Sequence, residues 1–182
     1  TFLLLSAGNI YAQEASQWRG KDRDGLYDEK GLLRSWPANG PALLWHYDNL
    51  GDGHASASVV SHSRIYTAGA TNGKGSVFAF SLDGKLIWST PYGDEWTESY
   101  PGSRSTPLVN EGKIYLMSAF GKVVCLDAEK GNLVWSVDIM KDYDGRNIVW
   151  GVTENLLIDG NKLFCTVGGI KNNVIALNKN TG

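Results

Sequence analysis

Three residues are the best candidates for ligand chemistry: Arg104, Trp150 and Glu154. They lie in two irregular segments, Thr90–Arg104 and Asp138–Glu154, which are rich in aromatic and charged residues. Arg104 could hold a carboxylate through two parallel hydrogen bonds, Trp150 could stack on a planar ring, and Glu154 could coordinate Ca²⁺. Two plainer interpretations stay open: Arg104 and Glu154 pair with each other, and Trp150 plugs the centre of the fold.

Other reactive side chains give weaker patterns. Because nothing in the sequence fixes the separation of Asp94, Glu95 and Glu98, we expect a solvated loop face rather than an acid/base pair. The histidines lie eight residues apart, at His46, His54 and His62. They fall at three different places in the repeat described below, so we expect no zinc site and no other metal centre.

The composition is that of a globular protein rather than a nucleic-acid binder. The chain has 182 residues, of which 42% are hydrophobic and 20% charged, with a net charge of −2. The charges are scattered, and no basic face is available to displace counterions from a nucleic acid. The 22 glycines indicate many turns and therefore many short strands.

The elements that position the candidate residues come from an internal repeat. Gly53, Gly102 and Gly151 are 49 residues apart, and so are Ile65, Ile114 and Leu163. Each unit contains four short apolar runs, which in the first unit are Ser58–Val60, Ile65–Ala68, Val77–Phe80 and Leu86–Ser89. Units of this length with four strands are the blades of a β-propeller.

The sequence therefore predicts an all-β fold with about three four-stranded antiparallel blades, near 53–90, 102–137 and 151–182. A closed ring needs roughly four to eight blades, so we expect an incomplete ring and a fragment of a longer chain. Residues 41–182 form this partial propeller, in which 41–48 is predicted to be a strand of a closing blade.

Recurrent Trp and Cys residues have structural interpretations. Trp45, Trp88 and Trp135 follow similar apolar pairs, so we expect them to pack between blades. Cys125 and Cys165 align with small residues of other repeats, which predicts buried strand positions and no disulfide between them.

The first residues are typical of a targeting segment. Residues 1–12 are apolar, short and followed by a polar stretch, which predicts the end of a truncated signal peptide. Residues 13–40 are then a lead-in to the propeller. A buried first strand is the alternative. The run is too short to span a membrane, and export from a bacterium would place the protein in the periplasm or at the cell surface.

Two segments carry a family resemblance: Cys125–Trp135, which reads CLDAEKGNLVW, and Ala176–Gly182, which reads ALNKNTG. They resemble the repeat of the pyrroloquinoline-quinone-like (PQQ-like) β-propellers. The resemblance implies either a binding or assembly scaffold or a PQQ-dependent alcohol or sugar dehydrogenase that holds PQQ with Ca²⁺ at residues such as Arg104, Trp150 and Glu154. The adjacent Cys-Cys pair typical of the dehydrogenases is missing here.

We therefore expect a scaffold without catalysis, with the dehydrogenase and a glycan-binding module as alternatives. Its expected partners are a protein or a glycan, together with the remaining blades of the same chain.

Overall fold

The computed structural model describes residues 16–53 and 56–182. Its regular elements are eleven short strands and one helical turn. The strands are β1 (Val59–Ser61), β2 (Arg64–Thr71), β3 (Lys74–Ser81), β4 (Leu86–Asp94), β5 (Leu108–Asn110), β6 (Lys113–Met117), β7 (Lys122–Asp127), β8 (Leu133–Asp138), β9 (Leu157–Asp159), β10 (Lys162–Thr166) and β11 (Val174–Asn178). Helix α1 (Ile139–Asp142) follows β8. The signal-peptide prediction for 1–12 lies outside the described residues.

The strands form three antiparallel sheets, which are the three predicted blades. The first has the order β1-β2-β3-β4, the second β5-β6-β7-β8, and the third β11-β10-β9. Each sheet follows the chain order, so every connection is a hairpin. The all-β prediction is confirmed, since the four residues of α1 lie between blades, and the ring is incomplete.

Two segments differ from the sequence prediction. Strand β4 runs on to Asp94, so the irregular segment predicted from Thr90 begins five residues later. The predicted strand at 41–48 does not form. Its sequence is that of a fourth strand, but Leu43 and Leu44 are exposed, and no strand of residues 16–53 and 56–182 pairs with them.

The cores of the protein lie between blades because the middle strands are buried on both faces. In β7, Val124 and Leu126 pack towards the first blade, while Val123 and Cys125 pack towards the third. This follows from the alternation of side chains along a strand, and it explains the uninterrupted apolar run of β7. Cys125 and Cys165 are both buried and unbridged, as predicted.

The repeat tryptophans join each blade to the next, which confirms their predicted role. Nε1 of Trp45 donates to the Leu82 carbonyl at 3.0 Å, and Nε1 of Trp135 donates to the Lys179 carbonyl at 2.9 Å. Each of the three rings also lies against a turn glycine of the following blade, at Gly84, Gly131 and Gly182.

Candidate functional site

Hydrogen bonds connect the three blades just before their first strands, β1, β5 and β9, and form a ladder from one blade to the next. The Ala57 amide donates to Oγ1 of Thr106 at 3.3 Å, and the Thr106 amide donates to Oδ1 of Asn155 at 2.8 Å. These three residues are 49 apart, so each occupies the same repeat position in its blade. In a propeller the first strand of each blade lies nearest the axis, so the ladder lies on the side of the blades that faces the axis, where ligands of such folds usually bind.

Arg104 lies beside this ladder and is largely committed to its own loop. Its Nη2 donates to the carbonyls of Ser99 and Tyr100 at 3.0 and 2.9 Å, and its guanidinium lies 5.5 Å from the ring centre of Trp96. Nε of Arg104 is buried and has no hydrogen-bond partner. The side chain thus fixes the loop and retains one free donor.

Glu154 and Trp150 do not join Arg104. Both carboxylate oxygens of Glu154 accept the Thr166 amide, at 3.1 and 2.8 Å, and the Thr166 hydroxyl adds a further bond. Trp150 is 60% exposed. Within residues 16–53 and 56–182, no hydrogen bond or ion pair connects Arg104, Trp150 and Glu154, and the alternative Arg104–Glu154 pair is not formed.

Glu95 differs from the sequence prediction, which was a solvated loop face for this carboxylate. Glu95 is only 1% exposed. Its Oε1 accepts the Tyr92 hydroxyl, and its Oε2 accepts the Ala119 amide at 2.9 Å. Burial raises the pKa of Glu95, against the opposing effect of these hydrogen bonds and of Arg104. Nothing in the sequence separates Glu95 from Asp94 or Glu98, because its burial depends on the next blade.

Unpaired polar atoms mark the same region. Oγ of Ser56 and Oγ of Ser105 are buried and have no hydrogen-bond partner among the residues that the structure describes, like Nε of Arg104. Ser56 and Ser105 are also 49 residues apart, so the repeat register was the signal that would have found them. Buried polar groups are normally hydrogen-bonded, and these donors suit a bound acceptor such as a carboxylate.

The histidines do not assemble a metal centre in the part of the chain that the structure describes. No three histidine, cysteine or acidic side chains lie together there. His46 is exposed beside Asp48, whereas His62 lies in the turn after β1 and contacts Oγ of Ser61. His54 is outside the described residues. No helix within the described ranges has the length and apolar character needed to cross a bilayer.

Comparison with protein families gives a match over most of the chain. A family model described as "Outer membrane protein assembly factor BamB" matches residues 29–138 and again 73–182. The chain belongs to this family of PQQ-like repeats. The overlapping matches agree with the repeat of about 49 residues, and they confirm the resemblance found in Cys125–Trp135.

Curated relatives of two kinds share this family. A quinoprotein ethanol dehydrogenase of Pseudomonas aeruginosa is 34% identical over 95 residues, which is 52% of this chain and 14% of the dehydrogenase. The outer membrane protein assembly factor BamB of Kangiella koreensis is 26% identical over 146 residues, which is 76% of this chain and 34% of BamB. The chain thus spans about a third or less of the length of these relatives.

Solved structures support the same fold. The quinohemoprotein alcohol dehydrogenase of Comamonas testosteroni has a TM-score of 0.56 at 18% identity, covering 78% of this chain and 22% of that one. The quinohemoprotein alcohol dehydrogenase ADHIIG of Pseudomonas putida HK5 has a TM-score of 0.53 at 23% identity, covering 74% of this chain and 20% of that one. At these identities the likeness shows the β-propeller fold and nothing of activity.

Proposed function

We propose that the protein is an exported PQQ-like β-propeller that acts as a binding or assembly scaffold for another protein, without catalysis. The observation that carries this proposal is a set of apolar side chains presented by the loops between blades. Tyr100 is 79% exposed, Ile148 62%, Val149 76% and Trp150 60%. Exposed aromatic and aliphatic side chains of this kind are the usual anchors of protein interfaces.

These side chains are held in place by their backbones. The Gly151 amide donates to the Ile148 carbonyl at 3.0 Å, and the Val152 amide donates to the Ala119 carbonyl at 2.9 Å. Nδ2 of Asn147 reaches the same Ala119 carbonyl at 2.9 Å. Arg104 braces the other loop through Ser99 and Tyr100. A preorganised apolar surface loses little entropy when a partner binds, which favours a docking role.

The described residues fit PQQ with Ca²⁺ poorly as a set. Both oxygens of Glu154 already accept hydrogen bonds from Thr166, so most of the acceptor capacity of this carboxylate is used within the chain. Trp150 is largely exposed. Among the described residues, Nε of Arg104 and the hydroxyls of Ser56 and Ser105 are buried donors without a partner, and they could bind an anionic ligand. We therefore assign no catalytic step to these residues.

A quinoprotein dehydrogenase is the second candidate. Two observations favour it: the similarity to an ethanol dehydrogenase over half of this chain, and the unpaired donors beside Arg104. In such an enzyme PQQ would accept electrons from an alcohol, and residues of other blades would have to supply the ligands missing here.

The export part of the proposal has two supports. Residues 1–12 have the pattern of a signal peptide, and one curated relative is an outer membrane protein assembly factor. Periplasmic location of an alkaline phosphatase fused after residue 40 would test it, with a fusion lacking residues 1–12 as the control.

The functional experiment places a photo-crosslinking amino acid at Trp150 of the complete protein in its bacterial host. The matched control places it at Asp83, in the exposed turn between β3 and β4. We expect a discrete protein adduct from position 150 only, and its loss when Ile148→Ser and Val149→Ser are added. No adduct at position 150, or equal adducts at both positions, would contradict the scaffold.

A second measurement decides the enzymatic alternative. The purified complete protein is titrated with PQQ and Ca²⁺ and assayed for dye reduction with alcohols and sugars. We expect neither saturable PQQ binding nor turnover. Tight PQQ binding with turnover, both lost on Arg104→Ala, would replace the scaffold by the dehydrogenase.

A further inference from the structure

The segment before the propeller crosses the inner edges of two blades. The Val109 amide of β5 donates to the Ser16 carbonyl at 2.8 Å. Arg23 reaches the third blade, where Nη1 donates to the Asn155 carbonyl at 3.3 Å and Nη2 donates to the Leu156 carbonyl. Residues 16–25, here called the strap, therefore connect the second blade with residues just before β9.

The strap lies on a strand edge that the second blade itself leaves open. β5 pairs with β6 alone, through a hairpin in which Asn110 faces Lys113 and Val109 faces Ile114. With two residues in the turn, the pair next to the turn is the hydrogen-bonded one, so the Val109 amide points away from β6. Ser16 thus satisfies a donor on the free edge of β5, where an added strand would bind.

The strap has its own internal order. Nε and Nη2 of Arg23 donate to Oε1 of Gln17 at 3.1 and 2.9 Å. Nε2 of Gln17 in turn donates to the carbonyls of Gly20 and Lys21 at 3.0 and 2.8 Å. The guanidinium is therefore presented to the third blade in a fixed orientation, which suits its two-carbonyl contact.

Apolar contacts do not anchor the strap firmly. Trp18, Leu26 and Tyr27 are 45%, 79% and 46% exposed, and no residue of 16–27 belongs to the two buried apolar clusters between the blades. Burial of the Arg23 guanidinium among backbone carbonyls lowers its pKa, which is a cost of holding it there. A segment held by a few hydrogen bonds opens at a small free energy compared with the cores between blades.

Asn155 shows why release would leave the blades intact. Its side chain accepts the Thr106 amide and so connects the second and third blades, whereas its carbonyl accepts Arg23 of the strap. The two functions use different atoms. When Arg23 leaves, the ladder between the blades persists, and the carbonyls of Asn155 and Leu156 are freed together with the Val109 amide.

We infer that residues 16–25 form a releasable strap, and that the edge beneath it is a docking site for an extended peptide carrying an arginine. In the structure the strap itself occupies this site. A competing peptide needs a carbonyl for the Val109 amide and a guanidinium for the two carbonyls of the third blade. This site is separate from the exposed loops of the proposed function and does not depend on them.

Hydrogen exchange of the complete protein tests the strap. In Arg23→Ala we expect exchange of the Val109 amide to rise at least tenfold, while the amides of β6 keep their protection. Arg19→Ala is the matched control, because the side chain of Arg19 contacts Trp18, Asp24 and Gly25, which all belong to the strap itself. Unchanged exchange at Val109 in Arg23→Ala, or equal effects of the two substitutions, would overturn the inference.

A synthetic peptide tests the docking site. Added to Arg23→Ala protein, a peptide of residues 16–27 should restore the Val109 protection in a saturable way, and the same peptide with Arg23→Gln should bind at least tenfold more weakly. Failure to restore protection, or equal binding of both peptides, would overturn the site. If Arg23→Ala does not fold, Gln17→Ala serves instead, since it removes only the brace and should give a smaller rise in exchange.

Discussion

The indole of Trp88 lies directly against Gly131 of the following blade. A Cβ atom built on Gly131 would lie 2.7 Å from two carbons of the ring, and the glycine has a φ of +75°. Unlike Trp45 and Trp135, Trp88 leaves its buried Nε1 without a partner. Arg64 occupies the carbonyls at the equivalent turn position, donating to Ala128 at 3.2 Å and Glu129 at 2.9 Å. The contact between the tryptophan ring and the turn glycine is therefore kept at Trp88 even though the indole hydrogen bond is not.

Gly131→Ala should destabilise the protein through both conformation and contact. A left-handed residue with a Cβ costs about 1–2 kcal/mol, and the collision with Trp88 adds to that. Gly112→Ala is the control, because Gly112 has a φ of +72° and nothing within 4 Å of its Cβ position. Urea unfolding of both variants gives the two free energies. Equal losses would show that Trp88 yields freely and that the motif is not a tight contact.

The repeat allowed the blades to be predicted because it repeats a packing requirement. Gly84 and Gly131 each accept a tryptophan ring from the preceding blade, and each is followed four residues later by the tryptophan of its own blade, Trp88 or Trp135. The burial of β7 on both faces likewise follows from its uninterrupted apolar run. Local sequence therefore contains most of the information about strands, turns and blade order.

The candidate site was harder to predict because its contacts join distant repeats. Glu95 is buried by the Ala119 amide of the next blade, and Glu154 is occupied by Thr166. Residue type shows which atoms can bind a ligand, but neighbouring blades decide which atoms remain free. The strap is a further case, since Arg23 binds residues 132 and 133 positions away.

The ladder through Asn155 should contribute measurably to stability. Asn155→Leu has nearly the same shape but leaves the Thr106 amide unpaired, so we expect a loss of about 1 kcal/mol in the free energy of unfolding. Asn155→Asp keeps the accepting oxygen and should change stability by less than about 0.5 kcal/mol. Chemical denaturation compares the two. A larger loss for the aspartate variant would contradict the ladder.

Glu95 should make the protein less stable as the pH rises. Burial raises the pKa of Glu95 in the folded chain above its ordinary value of 4.5. The folded chain then retains a proton that the unfolded chain has lost. Its contribution to stability is therefore fully present below pH 4.5 and is lost as the pH rises through the folded pKa. Relative to Glu95→Gln, the unaltered protein should lose stability as the pH rises above about 4.5.

The control for this effect is Glu98→Gln, which alters an exposed carboxylate of the same loop. Its stability difference from the unaltered protein should stay constant over the same pH range. A pH-independent difference for Glu95→Gln would mean that Glu95 ionises normally despite its burial.

The two cysteines should resist modification in the folded protein. Both thiols are fully buried, and burial raises the pKa of Cys125 to about 11 and that of Cys165 to about 12. The thiolate is the reactive form, so a disulfide reagent at about pH 8 should label neither residue until denaturant is added. Ser63→Cys, in the exposed turn between β1 and β2, is the positive control and should react at once. Rapid labelling of Cys165 without denaturant would show that the interface between the second and third blades opens readily.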